Sequence, residues 1–182
     1  MRVISGSARG LKLIAPDGLG TRPTTDRVKE SLFNIIQPYI PAKSVLDLFG
    51  GSGALGIEAL SRGSDSCVFV DVDKKAIDII KQNVEKARLK ERANIIKSDV
   101  FSYLSCCNEK FDIIFLDPPY NKGFLDKVFE KIFEKNLLKK DGVIVVEGEA
   151  GGETPKNSNF ICVKYAKYGK TTVSLFKNGD NI

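Results

Sequence analysis

The stretch Val45-Leu46-Asp47-Leu48-Phe49-Gly50-Gly51-Ser52-Gly53 constrains the fold more than any other: an apolar run breaks abruptly into three glycines within four residues. The run reads as a buried strand and the glycines as a tight turn. Leu55, Ile57, Ala59 and Leu60 then continue as a helix over Gly53–Arg62, which Gly63 ends. A strand, glycine turn and helix in that order form the opening unit of an open α/β sheet. Such a turn lets a ligand approach the backbone closely, beside a helix N-terminus.

The rest of the chain keeps the alternation. Strands are predicted over Cys67–Val70, Asn94–Lys97, Phe111–Leu116 and Val143–Glu147, with Phe160–Tyr165 and Thr171–Phe176 closing as an antiparallel hairpin around Tyr168-Gly169-Lys170. Helices are predicted over Lys74–Arg88, where Ala76, Ile77, Ile80, Val84 and Ala87 recur every three or four residues, over Val100–Leu104 and over Gly123–Leu138. The polar segment Gly148–Asn159 reads as a loop. Ahead of Ser44 the pattern changes. Val3–Ser5 and Leu11–Ile14 suggest a basic hairpin appended to the main sheet. Thr24-Thr25-Asp26 suggests the N-cap of a helix that carries Val28, Leu32, Phe33 and Ile36 and stops before Pro38. At 182 residues, 42% apolar and 28% charged, the chain is expected to form one domain, with residues 1–43 a basic extension and residues 44–182 the core.

Composition removes several chemistries. The chain has no histidine, so histidine-activated nucleophiles, histidine bases and histidine metal sites are excluded. Cys67, Cys106, Cys107 and Cys162 include no Cys-x-x-Cys pair; they read as free thiols, and no metal is expected. No apolar run approaches the length of a membrane span, and no apolar leader opens the chain, so the expected location is the cytoplasm. The net charge of +5 is uneven. Residues 1–43 hold seven Lys/Arg against three Asp/Glu, residues 44–150 hold sixteen against eighteen, and residues 151–182 hold five against two. Four of the seven arginines, Arg2, Arg9, Arg22 and Arg27, fall in the first 27 residues. Guanidinium suits bidentate phosphate contact, which makes a polyanionic partner plausible beside the bland alternative of a solvated, lysine-rich surface.

Gly51-Ser52-Gly53-Ala54-Leu55-Gly56 matches the dinucleotide fingerprint, and Asp71 follows Gly51 by 20 residues, where a ribose-binding acid belongs. A dehydrogenase therefore enters consideration. Asp47 argues against it, because a carboxylate just ahead of the turn repels a pyrophosphate and suits a ligand with an ammonium and a sulfonium. S-adenosylmethionine is such a ligand. Asp71 then serves both ribose hydroxyls, and Asp99, after the next strand, serves the adenine amino group. For each acid taken alone, a helix cap or a solvated loop is the bland alternative.

Asp117-Pro118-Pro119-Tyr120 directly follows the most apolar strand. Two prolines fix φ and remove two donors, leaving carbonyl acceptors in a rigid turn. An exocyclic amine on a planar base is a poor nucleophile because its lone pair is delocalised into the ring. When the Asp117 carboxylate and the Pro118 carbonyl accept its two hydrogens, the nitrogen pyramidalises and aims its lone pair at a methyl sulfonium. Tyr120 stacks on the base and holds it in plane.

With the glycine motif and Asp-Pro-Pro-Tyr in this order, the chain resembles the class I S-adenosylmethionine-dependent methyltransferases that modify amino groups. More narrowly, Gly6-Ser7-Ala8-Arg9-Gly10-Leu11-Lys12-Leu13 and Arg22-Pro23-Thr24-Thr25-Asp26-Arg27-Val28-Lys29-Glu30-Ser31-Leu32-Phe33-Asn34 resemble the start of the RsmD family, and the resemblance covers essentially the whole chain. One departure is Asp71, where many members carry Glu. The resemblance implies a Rossmann-like α/β fold: a seven-stranded, mostly parallel sheet with an antiparallel last strand and helices on both faces. It implies methylation of the 2-amino group of guanine 966 in small-subunit ribosomal RNA, within a ribosomal particle. It places Asp47, Gly50, Gly51 and Gly53 around the methionine moiety, with Asp71 and Asp99 on the nucleoside and Asp117 to Tyr120 on the target amine. Thr24 and Arg27 then sit at the mouth of the site, and Arg2, Arg9, Lys12 and Arg22 on RNA phosphates.

Rival readings use the same motifs. An adenine-N(6) methyltransferase shares the tetrapeptide chemistry, but the chain has no room for a target-recognition domain, which favours a substrate that supplies its own shape. A glutamine-modifying enzyme is expected to carry Asn at position 117. A noncatalytic RNA-binding module would need the basic ends and not the tetrapeptide.

Overall fold

The computed structural model describes residues 1–15, 26–118, 123–151 and 159–179. Helix α1 (Asp26–Ile35) leads to strand β1 (Ser44–Asp47), after which come α2 (Ala54–Ser61), β2 (Ser66–Asp71), α3 (Lys74–Lys86), β3 (Ala93–Lys97) and α4 (Val100–Cys106). β4 (Phe111–Leu116), α5 (Phe124–Glu134), β5 (Leu138–Glu149), β6 (Phe160–Tyr168) and β7 (Thr171–Asn178) complete the order. The seven strands form one sheet in the order β3-β2-β1-β4-β5-β7-β6. β7 is antiparallel to both of its neighbours, and the remaining pairs are parallel. This is the sheet expected from the sequence, including its reversed last strand.

The strands at the centre are apolar throughout because both faces are covered, and the period of two sorts their side chains. Val45, Phe69, Ile113, Phe115 and Val145 face one core, which they share with Val28, Leu32 and Phe33 of α1, Leu55 of α2 and Ile80 of α3. Leu46, Val68, Ile114, Leu116 and Val146 face the other, against Val100 and Leu104 of α4 and Val128, Phe129 and Ile132 of α5. α3 begins where the Asp73 carboxylate accepts a hydrogen bond from the Lys75 amide at 2.9 Å.

Two expectations need correction. The helix predicted to run to Leu138 ends at Glu134, and β5 begins at Leu138. Asn136 takes a left-handed conformation (φ 50°), and the amides of Asn136 and Leu137 turn back to the carbonyls of Phe133 and Ile132. This reversed turn caps the helix and directs the chain into the sheet. The N-terminal hairpin exists but does not extend the sheet. Its ladder is one bridge, Arg2 to Lys12, flanked by Val3 N to Leu11 O and Leu13 N to Met1 O. Val3 and Leu13 are buried in the core that one face of the sheet shares with α1, α2 and α3.

Candidate active site

Four parallel strands end along one edge of the sheet, and their ends carry the predicted acids. β1 ends on Asp47, level with Phe69 of β2 and Phe115 of β4. Asp71 and Asp117 therefore each lie two residues beyond that level, and Asp99 lies two residues beyond Lys97, the partner of Asp71. An open parallel sheet binds ligands at this carboxyl edge.

The glycine turn is tied to the same acids. The Gly50 amide donates to Val70 O at 3.0 Å, and the Gly51 amide to Asp71 Oδ2 at 2.9 Å. Gly51 and Gly53 have φ of 54° and 76°, which glycine adopts freely. Gly50 is closed in differently, since a Cβ there would meet Ile80 Cδ1 at 2.7 Å. A Cβ on Gly56 would overlap the Phe69 ring, so this glycine lets α2 lie directly on β2. Asn83, fully buried on α3, donates to Ser52 O at 2.8 Å and holds the turn from behind.

Each acid has a distinct environment. Asp47 is 2% exposed and accepts from the Gly56 amide at 3.1 Å. Burial pushes its carboxyl up to about 7, and the nearby Asp117 and Asp71 push in the same direction. Asp117 is partly buried, which raises its carboxyl to about 6. Asp71 uses Oδ2 on Gly51 and Oδ1 on the Asp73 amide at 2.9 Å, so it fixes the turn while keeping further lone pairs for a ligand. Asp99 is exposed and caps α4, accepting from the Ser102 amide at 2.9 Å; hydrogen bonds from the Ser102 hydroxyl and then its amide hold the Asp99 carboxyl below the ordinary range.

Of the tetrapeptide, Asp117 and the buried Pro118 stand at the end of β4, while Pro119 and Tyr120 lie outside the described residues. Thr24 and Arg22 lie outside them as well. Arg27 is exposed on α1, and Arg9 and Lys12 are exposed on the hairpin. The Arg2 side chain is exposed too, but its Nε pairs with Asp26 Oδ2 at 3.1 Å, which ties the hairpin to the start of α1. Among the described residues no group of His, Cys, Asp and Glu could hold a metal ion, and no helix is long and apolar enough to cross a membrane.

Three features escape the sequence reading. Phe124 meets Phe49 and Phe101 edge to face, its ring centred 5.8 Å from Phe49 and 5.3 Å from Phe101. They join the segments that follow Asp47, Asp99 and the tetrapeptide into one apolar wall. Glu58, fully buried on α2, receives the amides of Ile4 (2.8 Å) and Ser5 (3.0 Å), Arg62 Nε (2.9 Å) and Lys29 Nζ (3.0 Å). Asn83 clasps Ile14 through both its amide groups. Glu58 and Asn83 thus fasten the basic hairpin to α2 and to the helix behind the glycine turn. The available signal was polarity out of place: Lys29 shares a helical stripe with Leu32, Phe33 and Ile36, Glu58 interrupts an apolar helix, and Asn83 lies three residues after Ile80.

The model of the family described as "Conserved hypothetical protein 95" matches residues 1–177. The chain is 44% identical over 181 residues to YlbH of Bacillus subtilis, provisionally named an rRNA methyltransferase, covering 97% of this chain and 98% of that one. It is 35% identical over 181 residues to ribosomal RNA small subunit methyltransferase D of Haemophilus influenzae, covering 98% and 94%. The solved structure of YhhF from Escherichia coli, provisionally named a methyltransferase, superposes with a TM-score of 0.86 at 33% identity, covering 98% of this chain and 97% of that one.

Proposed function

The chain belongs to the conserved hypothetical protein 95 family, that of the RsmD-like methyltransferases, and on that premise we propose that it transfers a methyl group from S-adenosylmethionine to the exocyclic 2-amino group of a guanine in small-subunit ribosomal RNA. The position is guanine 966 and the substrate an assembled or assembling ribosomal particle. The observation that carries the reading is the placement of Asp47, Asp71, Asp99 and Asp117 along the one sheet edge that carries the glycine turn.

The whole chain works as one methyltransferase domain with a basic arm. Asp47 receives the ammonium of the methionine moiety, over the backbone of Gly50, Gly51 and Gly53. Asp71 receives the ribose hydroxyls and Asp99 the adenine amine. Asp117 and the Pro118 carbonyl take the hydrogens of the target amine while Pro119 stiffens the turn and Tyr120 stacks on the base. Bound S-adenosylmethionine would supply an electrophilic methyl on its sulfonium, and these residues would hold the amine nitrogen for attack on it, with Asp117 or water taking the surplus proton. S-adenosylhomocysteine is the second product.

A cationic ligand on Asp47 needs the carboxylate form, whereas burial holds the free protein's carboxyl at about 7. Binding below neutrality therefore releases a proton. Affinity is expected to climb with pH and level off above 7, with binding at pH 6 about tenfold weaker than at pH 8. Calorimetry in buffers of different ionisation enthalpy checks this, and pH-independent affinity with no proton release would remove Asp47 from the ammonium site.

RNA phosphates are held by Arg2, Arg9, Lys12 and Arg22, with Thr24 and Arg27 at the mouth of the site. The exposed pair Arg9 and Lys12 gives the cleanest test. Replacing both by alanine is expected to lower the salt slope of RNA binding by about 1.5, at roughly 0.7 to 0.9 per lost phosphate contact. Binding of S-adenosylmethionine should not change. An unaltered slope would make these residues ordinary solvated surface.

A further inference from the structure

A groove of about 570 Å³ runs between α1 and the outer strands, with Asn34 and Tyr39 on one wall and Val163, Lys164 and Tyr168 on the other. Outside it, β6 is the edge of the sheet and is exposed along Ile161–Tyr165. Residues 159–179 contain Lys164, Lys167, Lys170 and Lys177 and no acid. The Lys177 ammonium sits 5.2 Å from the centre of the Tyr39 ring, at the same groove.

Register places this surface beside the candidate active site. Leu116 of β4 is level with Val146 of β5, so Asp117 is level with Glu147; Glu149, two residues on, pairs with Thr171. The Tyr168-Gly169-Lys170 turn therefore lies at the sheet edge that carries Asp117. It stands three strands away, about 14 Å at ~4.8 Å per strand, a few nucleotides of extended RNA.

An exposed edge strand invites pairing with another strand, but lysines along it oppose that, and two copies would set like charges against each other. The same charges favour a polyanion, and ring, amide and ammonium together in one groove suit an unpaired base and its phosphates. We propose that the α1–β6 groove and the β6 edge bind a single-stranded stretch of the substrate RNA next to the target base, with Lys164, Lys167 and Lys170 on phosphates and Tyr168 stacked on a base. The inference rests on the RNA methyltransferase reading and adds a second anchor to the N-terminal arm.

The test uses the full chain with Lys164, Lys167 and Lys170 all replaced by alanine, three exposed positions outside the core. RNA affinity is read by fluorescence anisotropy on a short single-stranded oligoribonucleotide and on small-subunit rRNA across a range of salt. The triple variant is expected to bind at least about tenfold more weakly and to lose about two units of salt slope, at ~0.7 per contact on single strands. KM for RNA should rise while kcat at saturating RNA and the affinity for S-adenosylmethionine stay unchanged. Tyr168→Ala should weaken RNA binding about tenfold without altering the slope, and Tyr168→Phe should restore it. Unchanged RNA affinity and slope in the triple variant, with the wild type active on RNA, would overturn this inference alone. So would an unaffected RNA affinity accompanied by loss of a dimer in sedimentation, which would make the edge a protein contact. A wild-type protein inactive on every RNA would instead overturn the reading beneath it.

Discussion

Asp117→Ala is expected to slow single-turnover methyl transfer about a hundredfold or more while the Kd for S-adenosylmethionine stays within about threefold. The lone pair of the target amine is conjugated with the ring until its hydrogens are drawn out of plane. Asp117, at the end of β4, is the acceptor proposed to do this, and the effect is felt mainly in the transition state, so kcat falls rather than cofactor affinity. Loss of one such preorganised hydrogen bond in a water-excluded site costs roughly 3 kcal/mol, or about two orders of magnitude. Burial has already raised the Asp117 carboxyl to about 6, so it is charged only toward neutral pH. With cofactor bound and Asp47 paired to its ammonium, the wild-type single-turnover rate should rise with pH through an apparent value near 6. The alanine variant should lack that limb. Single-turnover rates within threefold of wild type would remove Asp117 from the target amine.

The second large effect concerns stability, at a residue far from the chemistry. Glu58→Ala is expected to destabilise the fold by about 3–5 kcal/mol, because it strands the Lys29 ammonium in the core. Lys29 is fully buried, and burial already lowers its pKa against the opposing pull of Glu58. The Arg2 carbonyl, at 2.7 Å, is the contact from the hairpin that remains to it. The amides of Ile4 and Ser5 lose their acceptor at the same time, and the Arg62 guanidinium, stacked 4.7 Å above Phe33, loses its anchor. Domains of this kind have about 5–15 kcal/mol in total, so the variant should unfold at far lower urea or release its hairpin. The paired change Glu58→Gln with Lys29→Met, which removes both charges together, should recover much of the loss. An unfolding free energy from urea titration of Glu58→Ala within about 1 kcal/mol of wild type would show that the Lys29–Glu58–Arg62 cluster contributes little.

Much of this architecture was legible in the chain because burial on both faces makes a parallel strand apolar without interruption, and glycine has few other reasons to recur at Gly50, Gly51 and Gly53. The acids at the strand ends were legible for a related reason: register turns sequence position after a strand into height along one edge. Other features depend on contacts between distant segments. The hairpin looked like a sheet extension because its apolar alternation is that of a strand, yet its Ile4, Ser5 and Ile14 amides are satisfied by Glu58 and Asn83 on helices instead of by a neighbouring strand. The end of α5 turned on Asn136 adopting positive φ, a choice that a polar residue in Lys135-Asn136 permits but does not demand. The wall of Phe49, Phe101 and Phe124 joins the turn after β1 to the first turns of α4 and α5, and no periodicity connects residues so placed.

The identity of the methylated nucleoside tests the account most directly. Small ribosomal subunits lacking the modification are incubated with the protein and methyl-labelled S-adenosylmethionine, and the RNA is digested to nucleosides and separated. The account predicts label in N(2)-methylguanosine, lost with Asp117→Ala. Label in N(6)-methyladenosine, or in protein with none in RNA, would contradict it.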